Sequence, residues 1–582
     1  MRPKEPVRTL RKLSSKTESW SPLAPGQIVA QPKLRPIVSQ GGYCTDGVKT
    51  SAVWTNGREA CGSFYLIDAG SGGTVYEGEL RPWGYHIWGG YNLIADFSSF
   101  RKEGCYKLRV RMRDVEAEDS HPFEISSSVY QDWAGMAARW FYYQRCGCEV
   151  PGWHGPCHLD DALLDGRQVD ATGGWHDAGD YNKWTGCGAY GILSLIALYE
   201  ALPDRRLVDE AIWEADYVCK VQRADGTFWS VTGPGEDPWR WRGRPEDEPQ
   251  RVLRETPGLG GTLLLGASLA RLARSVGEER KEKYMRTVLR AYRMAGRPGD
   301  MDIRTEAAAL LAELALFRLT GDGRYAEAAR GRVRELLRRQ EGEGFFWRDE
   351  ERTSPEYGAG WHLVALYEFL RALPGDELGE EVLRAFGRWA AWGEELTRLS
   401  PFGQMGTVVE GELRNLPPAS GNIHLASAAA GMAMAGVLLG EHRYLELAER
   451  QLQWITGFNP TERSTFVGVG VGPGVYHHRY VTCEGHEDGA VPGGVLNGIV
   501  GSDGGRMELG DAGTGDYVVA DGLSVDYPIL DTDEEARNGL PMPWKGYTPA
   551  HHTNEYWTLN NGWFILGALY LSVGYSDYDT HE

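Results

Sequence analysis

The sequence is short of positive charge and of long apolar stretches. Its 582 residues include 61 basic and 81 acidic side chains, which gives a formal net charge of −20. A field of that sign repels a polyanion, so we expect no nucleic-acid partner. No run of about 18 consecutive apolar residues is present, so we also expect no segment that crosses a membrane.

The N-terminus lacks the features of a secretory signal. Residues 1–21 are basic and contain no apolar segment of the kind that signal peptides carry. We therefore expect a cytoplasmic protein, or a secreted one if the natural chain begins further upstream. The nine cysteines are an odd number, so at least one thiol lies outside any disulfide within the chain. In a reducing compartment, buried thiols or metal ligands are expected rather than disulfides.

Glycine and aromatic residues, by contrast, are abundant. The 76 glycines follow no G-X-Y period, which excludes a collagen-like chain and leaves turns and loops as their use. The 21 tryptophans and 28 tyrosines suggest, beside a core, a surface that stacks on flat rings such as those of sugars.

The first fifth of the chain has the hydrophobic period of strands. Between residues 36 and 127, short β-rich runs such as 49–54 and 64–67 are separated by Gly-rich turns. Residues 106–111 alternate apolar and basic side chains, as a half-buried strand does. This pattern predicts a β-sandwich over 36–127, preceded by a tail over residues 1–35.

From residue 128 to residue 582 the period is helical. We predict about twelve amphipathic or apolar segments, near 128–146, 186–201, 205–222, 260–275, 279–296, 301–318, 323–339, 357–371, 377–393, 421–437, 440–455 and 554–574. Twelve consecutive helices can pair as six hairpins and close into an α/α toroid, although an open solenoid has the same pattern. The long loops at 223–257 and 456–550 would then crowd one rim.

The segment Gly173–Trp184 has the strongest chemical signal. Two carboxylates, Asp177 and Asp180, stand three residues apart with only Ala and Gly between them, which allows a tight turn and a close approach of substrate. Paired carboxylates suit general-base work on water, because one accepts the proton while the other orients the water or tunes the pKa. The alternative is a solvated Gly-Asp turn, but the flanking Trp, His and Tyr residues favour a cleft.

Two later segments could complete such a site. Glu555 stands among aromatic residues, which would raise its pKa as a general acid requires; a Glu near a helix start is commonly only a favourable charge there. His477 and Arg479 follow a Gly-rich loop that lacks the Gly-Lys-Ser/Thr of a phosphate-binding loop. They could contact sugar hydroxyls, lie beside the carboxylates or be structural.

These three segments, in this order, resemble glycoside hydrolase family 9, a family of inverting cellulases. Residues 175–180 resemble its Asp-Ala-Gly-Asp base motif, residues 457–479 its substrate-loop signature and residues 554–562 its catalytic-acid helix. The front of the chain resembles the immunoglobulin-like domain that precedes one branch of the family, at residues 64–69, 95–98 and 122–125. The resemblance extends from about residue 36 to the end.

The resemblance implies both a fold and an activity. An immunoglobulin-like β-sandwich over residues 36–127 would be followed by an (α/α)6 barrel over residues 128–582. Asp180 would be the general base, Asp177 would help to hold the water, and Glu555 would be the general acid. The reaction would be an inverting hydrolysis of β-1,4-glycosidic bonds in cellulose-type glucans, that is, an endo-β-1,4-glucanase activity.

The resemblance also implies where substrate binds. His477 and Arg479 would bind sugar hydroxyls near the cleavage point. Trp239, Trp241 and Trp361 are candidate stacking platforms, although tryptophan at such places is more often part of the core. The expected partner is a β-glucan or an oligosaccharide, and a monomer is expected.

A separate set of residues could bind a metal ion. Two thiols and two imidazoles, the ligand set of a closed tetrahedral zinc site, are offered by Cys146, Cys157, His158 and His176. Their spacing is not that of a zinc finger, and Cys148 competes with Cys146. The immunoglobulin-bearing branch of the family has Cys, Cys-His and His in matching places, which implies a structural zinc that tethers the base loop. Calcium is also common in the family, but no ligands can be matched to it.

One departure from the family pattern affects the mode of cleavage. The family reaches its acid soon after a Gly-rich loop like residues 492–498, whereas here the acidic segment 503–550 intervenes. If that segment closes one end of the cleft, the enzyme would instead be a cytoplasmic exo-acting cellodextrinase, or an exo-β-glucosaminidase on imported oligosaccharides whose amines it attracts. A carbohydrate-binding protein without catalysis is disfavoured, because all three carboxylates are present.

Overall fold

The structure is a computed structural model with two parts in succession, a β-rich part and a helical part. It describes residues 33–56, 61–86, 90–112, 115–235, 243–255, 258–296, 301–356, 358–409, 412–417, 420–474, 476–486, 488–501, 506–507, 517–518, 528–529 and 551–578.

The N-terminal part is a β-sandwich. Its strands are β1 (Leu34–Ile37), β2 (Thr50–Thr55), β3 (Ser63–Asp68), β4 (Thr74–Glu79), β5 (Arg81–Tyr85), β6 (Tyr91–Asp96), β7 (Gly104–Met112), β8 (Val115–Glu116) and β9 (Phe123–Ile125). One sheet has the order β1-β2-β6-β5, and the other has the order β4-β3-β7-β8 with β9 also paired to β7. The predicted sandwich is therefore confirmed.

The core of the sandwich follows the predicted alternation. In β7, Tyr106, Leu108 and Val110 are buried, while the basic residues between them are more exposed. Leu66 of β3 lies opposite Leu108 in the ladder and is also fully buried. Period-2 burial of this kind lets one face of each sheet form the core while the other stays in water.

Twelve long helices form the second part within the described residues. They are α1 (Val129–Tyr143), α2 (Thr185–Ala201), α3 (Arg205–Lys220), α4 (Leu259–Leu272), α5 (Glu278–Tyr292), α6 (Ile303–Thr320), α7 (Gly323–Arg338), α8 (Trp361–Ala372), α9 (Gly379–Thr397), α10 (Gly421–Leu439), α11 (His442–Ile455) and α12 (Thr558–Tyr578). Each corresponds to one predicted segment.

The helices close into a ring. Each even-numbered helix packs on the next, α2 on α4 and so on to α12, and α12 packs back on α2. The odd-numbered helices pack outside this inner ring. Inner helices such as α4 and α10 are apolar nearly all round, whereas outer helices such as α5 and α7 have one apolar and one charged face. The closed ring confirms the (α/α)6 barrel and excludes the open solenoid.

Helix α10 is apolar enough to resemble a membrane span. By length and composition it is the one helix of the described residues that could cross a membrane, and the expectation from the sequence had overlooked it. However, 72% of its most apolar stretch is buried inside the structure. Its composition follows from its place in the inner ring, where neighbouring helices cover it on several sides.

The connections differ in length between the two ends of the barrel. The loops that follow α2, α4, α6, α8 and α10 have about two to six residues, whereas those that precede the even-numbered helices are much longer. Consecutive helices run antiparallel, so all the long loops meet at one rim. The described parts of the predicted loops 223–257 and 456–550 both belong to this rim.

Short strands brace the long loops. They are β10 (Leu163–Leu164), β11 (Arg167–Gln168), β12 (Lys183–Trp184), β13 (Val231–Gly233), β14 (Val252–Arg254), β15 (Phe346–Trp347), β16 (Pro355–Glu356), β17 (Thr407–Val409), β18 (Glu412–Arg414), β19 (Val500–Gly501), β20 (Arg506–Met507), β21 (Tyr517–Val518) and β22 (Pro528–Ile529). Strands β10 to β14 form one small sheet at the rim. Apart from β20, β21 and β22, the insertion 503–550 lies outside the described residues.

The sandwich is attached to the barrel along α11. The N–H of Val48 donates to Oε2 of Glu449 over 2.6 Å, and Nε2 of Gln453 donates to the carbonyl of Val48 over 3.1 Å. The hydroxyls of Ser39 and Thr456 lie 2.9 Å apart. These buried polar contacts fix the sandwich on an outer helix.

Candidate active site

The base segment is a loop closed by Asn182 just before α2. The N–H of Asp177 donates to the carbonyl of Asn182 over 2.9 Å. Asn182 also holds Asp180, because its N–H donates to Oδ1 and its side-chain amide to Oδ2, both over 2.8 Å. Gly173 and Gly174, with φ of 87° and 78°, supply the left-handed backbone that leads into the loop. Both predicted carboxylates therefore lie in one buried turn at the rim.

The two carboxyl groups have different surroundings. Nε1 of Trp557 donates to Oδ2 of Asp177 over 3.0 Å, and the Cys187 thiol is a further hydrogen-bond partner of that carboxyl. Burial and the negative charge of Asp180 raise the pKa of Asp177 to about 8. Asp177 is thus suited to carry a proton near neutral pH, beside Asp180, whose two oxygens accept hydrogen bonds from Asn182.

Glu555 reaches the same loop from the other end of the chain. It lies between the helical turn His551–Asn554 and α12. The N–H of Gly179 donates to Oε1 of Glu555 over 3.3 Å, and Ala178 pairs with Trp557 as an isolated antiparallel bridge. The predicted acid, Glu555, is therefore hydrogen-bonded to the residue that directly precedes the predicted base, Asp180.

The segment that contains His477 is the third one that meets beside Glu555. Its N–H donates to the carbonyl of Asn554 over 3.0 Å, and its Nε2 lies 4.0 Å from Oε1 of Glu555. A Cβ at Gly179 would lie 2.1 Å from the carbonyl oxygen of His477, so this close approach requires glycine. Arg479 begins a 3-10 turn, Arg479–Thr482, and its side chain lies outside the described part of the chain.

Of the three tryptophans predicted to stack on sugar rings, the structure describes one. Trp361 begins α8, is 7% exposed, and packs against Tyr190 at 5.0 Å and Trp563 at 4.8 Å between ring centroids. These three rings come from three inner helices, so Trp361 belongs to the aromatic core of the barrel, and its role in stacking stays a prediction. Trp239 and Trp241 lie outside the described residues.

The four predicted metal ligands come together. One ligand atom from each of Cys146, Cys157, His158 and His176 lies within 4.8 Å of the others, and all four side chains are buried. Sγ of Cys146 lies 3.4 Å from Nδ1 of His158, and Sγ of Cys157 lies 3.9 Å from Nε2 of His176. Cys148, the competitor of Cys146, is not in this group.

The geometry of this cluster fits a tetrahedral divalent metal ion. Bonds of about 2.3 Å to sulfur and about 2.0 Å to nitrogen place ligand atoms roughly 3.3–3.8 Å apart. The second ring nitrogen of His158 lies 2.8 Å from a carboxylate oxygen of Glu248, and that of His176 lies 3.4 Å from the Tyr480 hydroxyl. Metal-bound histidines commonly have such partners, because these orient the ring and fix its tautomer.

One of the two thiols is also prepared for binding a cation. Burial raises the pKa of the Cys146 thiol. Hydrogen bonding with Cys157 and the charge of Lys183 lower that pKa by more, so it lies well below its usual range. A thiolate is the form of cysteine that binds metals. The cluster could therefore hold a metal ion, as the sequence predicted.

Family models match both parts of the chain. The model described as "Glycosyl hydrolase family 9" matches residues 130–504, more than half of the sequence. The chain belongs to glycosyl hydrolase family 9. The model described as "Cellulase N-terminal ig-like domain" matches residues 31–114, so the immunoglobulin-like assignment of the sandwich is confirmed. Glu555 lies beyond the part matched by the family 9 model.

Curated relatives of this family 9 protein include enzymes named for activity on cellodextrins or on glucans. "Cellodextrinase" of Butyrivibrio fibrisolvens is 27% identical over 360 residues, which are 53% of this chain and 63% of that protein. "Endoglucanase D" of Acetivibrio thermocellus is 32% identical over 195 residues, 29% of this chain and 30% of that protein. The matches thus span less than two thirds of the length of either relative.

Solved structures share the fold over nearly the whole chain. A metagenome-derived glycoside hydrolase family 9 endoglucanase has a TM-score of 0.71 at 21% identity, and the match covers 93% of this chain and 99% of that one. A Zn-binding triple mutant of the family 9 endoglucanase J30 has a TM-score of 0.68 at 22% identity, with 91% and 99% covered. At these identities the likeness concerns the fold.

Several residues of the site were not assigned a role from the sequence. Asn182 and Trp557 each lie two residues from a predicted catalytic carboxyl, and that proximity is the signal that could have found them. Glu248 and Arg251 are some 90 residues from the metal ligands and from Asp161 in sequence, so nothing in the spacing pointed to them.

Proposed function

We propose that this family 9 protein is an inverting hydrolase of β-1,4-glycosidic bonds in cellulose-type glucans. The observation that carries the proposal is the hydrogen bond from Gly179 to Glu555, because it unites a carboxyl group near the chain's end with the loop of Asp177 and Asp180. A general acid and a general base are what such a hydrolysis requires, and Asp177 lies in the same loop as the proposed base. The family and the named activities of its relatives support the substrate class.

In the proposed reaction, Glu555 gives its proton to the glycosidic oxygen while Asp180 accepts a proton from a water molecule. That water attacks the anomeric carbon from the opposite face, so the configuration inverts. Asn182 holds both oxygens of Asp180 and fixes their direction. Protonated Asp177 is placed to donate to the water, and His477, beside Glu555, is placed to contact a sugar hydroxyl at the cleavage point.

We also propose that the cysteine–histidine cluster holds one structural zinc ion. Two thiols and two imidazoles leave no open position, so the ion would supply rigidity and no chemistry. The outer contacts of Glu248 and Tyr480 support this assignment, as does the zinc-binding mutant among the structural neighbours. Because His176 precedes Asp177, the cluster would tether the base loop. Calcium, which the family resemblance implies, has no ligands assigned.

An exo-acting cellodextrinase, or an exo-β-glucosaminidase, is the second candidate. The observation in its favour is where the insertion 503–550 is rooted. The N–H of Asn497 donates to the carbonyl of Glu555 over 2.8 Å, and three residues later β19 pairs with β22. The insertion therefore leaves and rejoins the rim near the acid. The cellodextrinase among the relatives supports this candidate, and short imported substrates would suit a cytoplasmic enzyme.

The activity is tested with defined oligomers. The purified chain is incubated with cellotriose to cellohexaose and with matched glucosamine oligomers, and products are separated by chromatography. We expect shorter cellodextrins from cellohexaose and no products with the Glu555→Gln variant. Cleavage of the glucosamine series alone would replace the substrate class, and no product from either series would refute the proposed function.

A further inference from the structure

A buried arginine connects the metal cluster to the base loop. Arg251 comes from the rim loop just before β14 and its side chain is fully buried. It forms a two-pronged ion pair with Asp161 and a second ion pair with Glu248 at 3.5 Å. A guanidinium with no solvent access is costly unless all its partners are in place, so this position demands several fixed acceptors.

On one side Arg251 reaches the metal cluster twice. Its Nη2 donates to Sγ of Cys146 over 3.5 Å. Its ion-pair partner Glu248 is also the carboxylate that orients His158. An N–H donor to a metal-bound thiolate withdraws charge from sulfur, and such outer contacts tune the metal centre.

On the other side Arg251 reaches the base loop. Its Nη1 donates to the backbone carbonyl of Tyr181, the residue between Asp180 and Asn182. Asn182 in turn holds both oxygens of Asp180. The arginine therefore contacts the Cys146 sulfur directly, and it contacts the backbone of the residue that follows the proposed general base, Asp180.

The charges around Arg251 balance within the protein. Lys183 lies 2.7 Å from Asp161, so the four ionised groups Arg251, Lys183, Asp161 and Glu248 cancel. Two thiolates and a divalent cation cancel as well. The buried polar cluster is thus neutral as a whole when the metal is bound, which buried charge requires.

We propose that Arg251 is a positioning residue that couples the metal cluster to the base loop, through its bonds to Cys146 Sγ and to the Tyr181 carbonyl. It touches no reacting atom; it transmits the rigidity of the metal centre to Asp180. The half that concerns Asp180 rests on the proposed hydrolysis, and the half that concerns Cys146 does not.

The test uses Arg251→Lys, which keeps the charge but cannot form the fork of donors. The full chain is loaded with cobalt(II) in place of zinc. We expect one bound metal per chain, a thiolate-to-cobalt absorption band moved to longer wavelength, and faster hydrogen exchange in a peptide covering residues 176–184. On cellohexaose, kcat should fall roughly 10–100-fold with KM nearly unchanged, since a displaced base loses geometry and not substrate contacts.

The matched control is Arg271→Lys. Arg271 is also buried and ion-paired to two carboxylates, Glu200 and Glu368, but it lies on α4 away from the cluster. It should lose thermal stability without changing the cobalt band, the exchange of residues 176–184 or kcat. An Arg251→Lys protein with an unmoved band and unchanged exchange overturns the proposal, as does an equal loss of kcat in the control.

Failure of the proposed function is distinguishable from failure of this inference. If the wild-type chain cleaves no oligomer, the hydrolysis is refuted by that result alone. The cobalt band and the hydrogen exchange of residues 176–184 then still decide the coupling, because neither requires turnover. A shift in both supports it, and a shift in neither overturns it.

Discussion

The backbone N–H of Gly179 donates to Oε1 of Glu555 over 3.3 Å, across 376 residues of sequence. The same glycine lies against the carbonyl of His477, where a Cβ would be 2.1 Å from that oxygen. One residue without a side chain thus allows the base loop, the acid and the histidine segment to meet. The motif has glycine here because three backbones converge.

Gly179→Ala should therefore abolish most activity. The added methyl group would meet a backbone oxygen that cannot rotate away, so the base loop must separate from Glu555 and His477. We expect a loss in kcat/KM of at least about 100-fold, as for a catalytic group displaced by about 1 Å. Gly186→Ala, a change in the first turn of α2 with open space around it, is the control and should retain activity. Equal activity of the two variants would contradict the convergence.

The mechanism predicts inversion and two indispensable carboxyls. Asp180→Asn and Glu555→Gln should each lower kcat roughly 10²–10⁴-fold while circular dichroism and melting temperature stay near those of the wild type. NMR of the first-formed product from a β-linked substrate should show the α-anomer. If the β-anomer forms first, the reaction retains configuration and the assigned roles are wrong.

The metal cluster predicts one zinc per chain. Protein purified without added metal should contain about one equivalent by elemental analysis. Cys157→Ser removes a ligand, so it should lower the metal affinity by more than the roughly 10–100-fold that follows loss of an outer hydrogen-bond partner. It should also lower the melting temperature. Cys219→Ser, at a half-buried cysteine on α3 that contacts Thr287, is the control. Zinc far below one equivalent in the wild type would refute the site.

A viscosity assay distinguishes cleavage inside chains from cleavage at chain ends. On a soluble cellulose derivative, cuts inside chains lower viscosity quickly at little release of reducing ends, whereas removal of end units does the reverse. We expect the endo pattern as the default for this family; the exo pattern is the alternative, because the insertion 503–550 begins and ends close to Glu555. A slow viscosity loss with rapid sugar release would replace the endoglucanase assignment by the cellodextrinase one.

The junction between the domains predicts a pH-dependent stability. Burial raises the pKa of Glu449 from its ordinary value of 4.5 to about 7, and hydrogen bonds from Tyr130 and Val48 and the charge of Lys49 only partly oppose it. Between these two pH values the folded chain holds a proton that the unfolded chain has released. The contribution of this group to the free energy of unfolding is therefore largest below pH 4.5. It falls by roughly 3 kcal/mol in total as the pH rises to about 7, and it does not change above that pH.

Glu449→Gln tests this slope. A glutamine can accept from Val48 and donate to Tyr130, so it reproduces the protonated carboxyl without titrating. The difference in urea-unfolding midpoint between the variant and the wild type should grow in favour of the variant from pH 5 to pH 7.5. A constant difference over that range would show that Glu449 is ionised in the folded protein.

Much of this molecule could be predicted from hydrophobic period. Every one of the twelve helices was predicted, because inner helices are apolar and outer ones have a single apolar face. The three catalytic candidates and the four metal ligands were found through local motifs and a family resemblance. The closure of the ring could not be predicted from this period, because an open array buries the same faces in sequence; the family resemblance implied it, and the packing of α12 on α2 shows it.

The sequence by itself determined which residues could do the chemistry and which stretches would be strands, helices and rim loops, since these depend on side-chain type and spacing. The tertiary structure alone decided what touches what. That Gly179 meets Glu555, that Trp557 holds Asp177, and that Arg251 joins Cys146 to Tyr181 depend on loops from distant parts of the chain meeting at one rim. Such contacts have no period and no local signature, because their geometry is set by the closed barrel beneath them.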